Sequence, residues 1–325
     1  MAHTEELRIT AADAGMVGTL TLPETAPDAR GRYPGALLLS SWLPRTRDGD
    51  WDRVAHADWF APAAGERSGL LARLAEALAR HGVGSLRCDP RGCGASDGAW
   101  QDVSLFTRID DARDMLAAMR SHGAFDLRRT AIVGHGEGAT LALSVAIGDP
   151  AVSALTLIGP SARSWRDVLR RGVAERARWG TDRQHPVVRS LDRSSEEILE
   201  RAERREPSIP LRIAGHTVDL SLAGVEQAVH TPPLALATML HRSVALVHGG
   251  RDAWSHPDES VLLGAALREA GNASDRRVVP EAGHDLAQAD DAHVDAIAAD
   301  LAARITAVEL PPVLVALEEM DGGVR

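Results

Sequence analysis

Short apolar runs alternate with longer amphipathic segments along almost the whole chain, and this alternation constrains the fold more than any other feature. Leu7–Thr10 and Met16–Leu22 read as an opening pair of strands. Gly35–Ser40, Val83–Asp89, Thr130–His135, Ala154–Pro160, Val244–Gly249 and Arg276–Pro280 read as further strands. Several are continuous apolar runs, as parallel strands covered on both faces require. Gly69–Arg80, Leu105–Arg120, Ala139–Ile147, Glu259–Ala270 and Ala292–Ile305 carry apolar residues at helical spacing. The pattern predicts an α/β fold, with a mostly parallel central sheet flanked by helices.

One connection breaks the rhythm. Some eighty residues separate Pro160 from Val244. Ser161 to Arg212 holds 13 Arg against 9 acidic residues, a net of +4 in a chain of net charge -10. Arg163–Trp179 and Ser194–Arg205 are helix-prone, turns are expected at Glu206-Pro207 and Ile209-Pro210, and Val218–Leu240 is a second apolar stretch broken by Pro232-Pro233. The segment is too apolar for a linker. The expected division is a core of residues 1–160 and 242–325 with a helical cap at 161–241. Glu309–Arg325 reads as a tail.

Composition removes whole classes of function. All 36 basic residues are Arg, so a lysine Schiff base and a Walker A phosphate loop are excluded. The acidic balance disfavours nucleic acid and anionic membranes as partners. No apolar run approaches the roughly 20 residues of a membrane span. The polar start, Met1–Thr10, shows no signal-peptide pattern, and Cys88 and Cys93 form neither a disulfide framework nor a zinc pattern. A cytoplasmic location is expected. The 13 His residues show no H-x-x-x-H or H-E-x-x-H spacing, so no metal and no cofactor are expected. A small-molecule substrate is the expected partner, and a homodimer is left open. The Arg-only, Ala-rich composition hints at a high-GC bacterial source, and a place in specialised metabolism would suit it.

The most informative segment is Ala131-Ile132-Val133-Gly134-His135-Gly136-Glu137-Gly138-Ala139, a strand, a Gly-rich turn and a helix. Gly134, Gly136 and Ala139 satisfy G-x-G-x-x-A, a dinucleotide fingerprint. The next strand, however, ends Leu157-Ile158-Gly159-Pro160-Ser161 with no acid for a ribose, and the motif is not on the first strand. The alternative is a nucleophile elbow, G-x-S-x-G, with Gly136 in place of serine.

With that elbow, the chain resembles the α/β-hydrolase superfamily, and most closely its cap-bearing bacterial esterase and peptidase-like branches. Asp89-Pro90-Arg91-Gly92-Cys93-Gly94-Ala95-Ser96 matches the D-x-R-G-x-G-x-S turn. Val247-His248-Gly249-Gly250-Arg251-Asp252 matches the strand end that delivers the triad acid. Glu281-Ala282-Gly283-His284-Asp285 matches the loop that delivers the triad histidine. The resemblance implies a His284–Asp252 pair, with Gly136 at the nucleophile position. It also implies an oxyanion site from the backbone N–H of Glu137 and from Ser41 and Trp42. The family's usual His-Gly after the third strand is here Ser40-Ser41, so the departure is not confined to Gly136.

A glycine supplies no attacking oxygen. The expected enzyme therefore uses His284 as general base on an apolar carbonyl or ester compound, giving elimination, isomerisation or cyclisation. A missing side chain would give a bulky substrate more room. The alternatives are an ordinary esterase or peptidase captured as a nucleophile-to-Gly mutant, and a ligand-binding pseudoenzyme. A nucleophile relocated to Ser40 or Ser41 is a further option. Glu137 is a candidate acid or base, and Asp285 is expected to be solvated. Arg163, Arg166 and Arg170 read as a solvated ion-paired face or as an anion-steering patch.

All seven Trp residues fall on loops that follow strands or in the insertion. In an open α/β sheet that is the ligand-binding edge. Trp42, Trp100, Trp165 and Trp254, with His135, are the expected substrate-binding residues.

Overall fold

The computed structural model describes residues 2–11, 13–52, 68–178 and 186–307. The expected tail, Trp59 and Trp179 lie outside them. Eight strands form one sheet in the order β1 (His3–Ala11), β2 (Ala14–Leu22), β4 (Gly84–Cys88), β3 (Tyr33–Leu39), β5 (Phe125–His135), β6 (Val152–Ile158), β9 (Ser243–Gly249) and β10 (Ser274–Val279). The β1–β2 and β2–β4 pairings are antiparallel, and every pairing from β4 to β10 is parallel. β6 is buried along its entire length, as a central parallel strand covered on both faces should be, Ser153 and Thr156 included.

Helices cover both faces. On one side pack α1 (Leu70–Arg80) and α9 (Asp291–Thr306), whose Leu74, Leu78, Ile297 and Leu301 join Leu38, Val133 and Ile158 in one core. On the other pack α2 (Leu105–Ser121), α3 (Gly138–Gly148) and α8 (Asp258–Glu269), around Leu37, Ile132, Leu155 and Leu246. The D-x-R-G turn is held by its own polar groups. The Asp89 carboxylate accepts the amides of Arg47 at 2.7 Å and Ala95 at 3.1 Å, and the Ser96 hydroxyl donates to the Asp89 carbonyl at 2.7 Å. Arg91 bonds Asp111 through two nitrogens. These residues shape a turn rather than a site.

Between β6 and β9 lie α4 (Trp165–Ala177), α5 (Pro186–Glu203), α6 (Ala223–His230) and α7 (Pro233–Ala237). The same stretch holds a two-stranded ribbon of β7 (Ser208–Ile213) and β8 (His216–Ser221) where turns were expected. Ile209, Leu211 and Ile213 are buried while Pro210 and Arg212 are exposed, the period of two that marks a half-buried strand. Ala214 and Gly215 both take positive φ, the geometry of the tight turns that join such ribbons. Pro210 had suggested a break, but a ribbon of two strands has only edges, and an edge tolerates proline. This segment buries a third core, including Leu169, Leu191, Ile198 and Leu211, against Leu43 and Trp100.

Candidate active site

Gly136 and Glu137 join the end of β5 to the helix α3, and Gly136 has φ of +59°. That left-handed conformation favours glycine. The crossing is tight on either side. A Cβ on Gly134 would stand 2.2 Å from the Gly138 carbonyl oxygen, and one on Gly138 would stand 2.4 Å from that of Leu39. The glycines thus let the start of α3 press onto β5 and onto the end of β3, which brings Ser41 beside Gly136. Glu137 is the N-cap of α3, and its amide opens the helix, while the amides of Ala139 and Thr140 already donate to the Gly136 and Glu137 carbonyls at 3.1 and 2.8 Å.

His284 comes from the loop between β10 and α9, and Asp252 from the loop after β9. Nδ1 of His284 lies 2.8 Å from Oδ2 of Asp252. The other carboxylate oxygen accepts the amides of Trp254 at 2.8 Å and Ser255 at 2.9 Å. Asp252 is buried, which works against its charge. The His284 and His248 rings and these bonds outweigh burial and hold the carboxyl well below its usual range. Burial likewise disfavours a charged His284, but the Asp252 carboxylate outweighs it and raises the imidazole above its ordinary value. Nε2 of His284 faces Gly136, 2.9 Å from where a Cβ on that residue would stand.

Ser41 shares that point. Its Oγ lies 2.7 Å, and its Cβ 3.0 Å, from the same position. The volume a side chain at 136 would need is therefore occupied by Ser41 and His284. The expectation that a missing side chain leaves room for a bulkier substrate does not hold.

The site opens into a cavity of about 880 Å3, mouth included. Trp42, Trp165, Trp254, Leu105, Val168, Leu169 and Leu191 make its lining largely apolar, and Gly136, Ser41, Glu137 and His284 lie in its wall. Trp42 packs edge-on against Trp165, with ring centroids 5.8 Å apart. The Arg176 guanidinium lies over the Trp254 ring, 4.2 Å from its centroid, and pairs with Asp192.

Two of the expected substrate-binding residues are not in this wall. Trp100 is buried behind Trp42, its ring 6.0 Å away edge-on, because the turn that carries it folds under the loop after β3. His135 is fully buried beneath the turn, and its Nε2 donates to the His284 carbonyl at 3.1 Å. Burial, with the nearby His284, pushes its pKa down to about 3, so it is a neutral support for the histidine loop.

Asp285 is not simply solvated. It takes two contacts of 3.1 Å from Arg45, whose side chain is only 2% exposed, and these hold its carboxyl below the usual range against the effect of burial. Donor atoms of His135, His284 and Asp285 come within 4.8 Å of one another, a set that could hold a metal ion. A metal there would have to compete with Arg45 for Asp285 and with the His284 carbonyl for His135.

Glu137 pairs with Arg108, which also donates to the Ser40 carbonyl at 3.1 Å. Burial raises the Glu137 pKa despite that arginine. Arg163, Arg166 and Arg170 pair with Glu259, Glu203 and Glu196, which fits an ion-paired face rather than an anion trap. Burial pushes the Cys88 and Cys93 thiols up to about 12, leaving neither activated.

Sequence reasoning missed His248, which donates to the Ser255 carbonyl at 2.7 Å and faces Asp252 at 3.3 Å. It also missed Arg45 and Arg108. Their partners lie far away in the chain, and spacing carries no trace of them.

Residues 60–291 match the Hydrolase_4 family, serine aminopeptidase, S33. The chain belongs to that family. It is an α/β-hydrolase of esterase and peptidase type. A comparison with curated proteins finds no match. Among solved structures, Est1E from Butyrivibrio proteoclasticus, bound to ferulic acid, is 16% identical, with a TM-score of 0.65 over 93% of this chain and 100% of that one. The α/β hydrolase GrgF from Penicillium sp. sh18 is 18% identical, with a TM-score of 0.61 over 94% and 100%. The acylaminoacyl peptidase of Pyrococcus horikoshii is 14% identical, with a TM-score of 0.56 over 87% of this chain and 38% of that one. These likenesses establish the fold. Among the described residues, no helix is long and apolar enough to cross a membrane.

Proposed function

We propose that this α/β-hydrolase is a cofactor-independent enzyme that acts on an apolar ester or carbonyl compound. Gly136 stands at the nucleophile position and His284 is the general base. Residues 161–241 serve as the cap over the pocket. One observation carries the reading: Nε2 of His284 is aimed at Gly136 in the cavity wall, while Nδ1 is fixed by an ionised Asp252. Such a carboxylate sets the tautomer and raises basicity without itself taking the proton. Negative charge that develops on a substrate oxygen is met by the amides that open α3.

The base has two uses. It can draw a proton from a hydroxyl or water that attacks an acyl carbon, the use that family membership favours. It can also remove a proton α to a carbonyl, leading to elimination, isomerisation or cyclisation, which the absence of an oxygen on residue 136 favours. The 2.8 Å contact of His284 with the buried Asp252 at the wall of the cavity supports chemistry over binding alone.

His284→Ala is the test. Turnover of a panel of p-nitrophenyl esters and of α-deuterated ketones should fall by ~10²–10⁴-fold, with binding, read by Trp fluorescence, retained. Unchanged turnover would remove His284 from the mechanism. No turnover by the parent protein, with ligand bound all the same, would make it a binder.

A further inference from the structure

We infer that Ser41 is the nucleophile, its hydroxyl standing in for the side chain that Gly136 lacks. This rests on the reading of His284 as base and names the proton that the base removes. Three observations meet at one place. The Ser41 Oγ and the His284 Nε2 both lie within 3 Å of the point where a Cβ on Gly136 would stand. Ser41, Gly136 and His284 share the wall of the same apolar cavity. The loop is held there, since the Ser40 carbonyl accepts from the buried Arg108, which also pairs with Glu137 beside Gly136. Ser41 therefore reaches the site from the end of β3, while the base reaches it from the loop after β10.

The chemistry balances without any further group. The Ser41 oxygen attacks the acyl carbon and its proton passes to Nε2 of His284. The carbonyl electron pair moves onto oxygen beside the first-turn amides of α3. Collapse breaks the bond to the leaving alcohol, which takes the proton from His284. Water then attacks the acyl-Ser41 ester, again giving its proton to His284. Ser41 leaves and recovers that proton, and the products are an acid and an alcohol. The lining selects an apolar acyl or alkoxy group.

Diisopropyl fluorophosphate reads the nucleophile directly, because attack on phosphorus expels fluoride and leaves a stable adduct. The full chain should gain one adduct by intact mass, mapped to Ser41 by peptide mass. The adduct should be absent from Ser41→Ala and strongly diminished in His284→Ala. Ser41→Ala should also lower kcat/KM for p-nitrophenyl butyrate by at least ~10³-fold, with an unchanged circular dichroism spectrum. An unlabelled parent protein, an adduct on another residue, or a Ser41→Ala variant that keeps both label and turnover would overturn the proposal. Turnover lost in His284→Ala but kept in Ser41→Ala would overturn Ser41 alone and leave the base standing. Turnover kept in both would overturn the base as well.

Discussion

Oδ2 of Asp252 bonds Nδ1 of His284 at 2.8 Å, and this one contact leaves Nε2 as the only basic atom that the imidazole presents to Gly136. The carboxylate stabilises the imidazolium, so the His284 pKa stands above its ordinary value. Only the neutral ring can accept a proton. Activity should therefore rise with pH along a single limb whose midpoint lies above ~6.5, the usual histidine value. Asp252→Asn removes the charge that raises the pKa, so the midpoint should move to lower pH while the plateau falls by ~10²–10⁴-fold. The pH profile of kcat/KM for both forms checks this. A limb that stays in place would mean that another group titrates.

Gly136 has a conformation and a neighbourhood that both resist a side chain. At φ of +59° an L-residue is strained by ~1–2 kcal/mol. Its Cβ would also press on Ser41 and His284. Gly136→Ala should lower stability by at least that strain and reduce turnover by displacing the two side chains. Urea unfolding of the two proteins gives the first quantity, and an alanine form as stable as the parent would contradict the packing described.

The strands of the sheet and the helices that cover it were legible because each is buried in the manner its pattern announces. β6 is mostly apolar and buried throughout, and α1 buries Leu70, Leu71, Leu74 and Leu78 at helical spacing. The dyad was legible because His284 and Asp252 each sit in a local motif. What was not legible depends on approach across the fold. His135 was expected to touch substrate, yet two residues either side of a turn can face opposite ways, and it faces the core. Trp100 lies one layer behind the pocket for a similar reason. Ser41 gained its significance from Gly138, which admits the end of β3 to the turn at a distance no sequence pattern records.

Arg45, which is buried, and the partly exposed Asp285 form an ion pair under the histidine loop. Arg45 is 2% exposed and also donates to the Gly49 carbonyl at 2.8 Å, while its guanidinium lies over the Trp51 ring. Removing Arg45 leaves the Asp285 carboxylate partly desolvated and without its partner. Arg45→Met should cost roughly 1–3 kcal/mol, less than a fully buried pair would, because Asp285 keeps some contact with water. Adding Asp285→Leu should recover part of that loss, because the stranded carboxylate is gone. Denaturation midpoints for the two single variants and the double variant form the cycle. A double variant less stable than either single would show that the pair is not the source of the cost.

Trp165 and Trp254 should separate binding from chemistry. Both line the cavity, and Trp254 is 6.4 Å from His284 between ring centroids, so a ligand that fills the pocket must alter tryptophan emission. Trp165 belongs to α4 and touches Trp42, but it bonds neither His284 nor Asp252 among the described contacts. Replacing it with Ala removes apolar surface that contacts substrate equally before and during reaction. A loss of this uniform kind raises KM and leaves kcat nearly unchanged. With roughly 1–2 kcal/mol for the buried surface lost, KM for an apolar ester should rise by ~5–30-fold. A fall in kcat with KM unchanged would instead place Trp165 among the groups that hold the dyad or the Ser41 loop in register. The substrate would then have to meet the site from another side of the cavity.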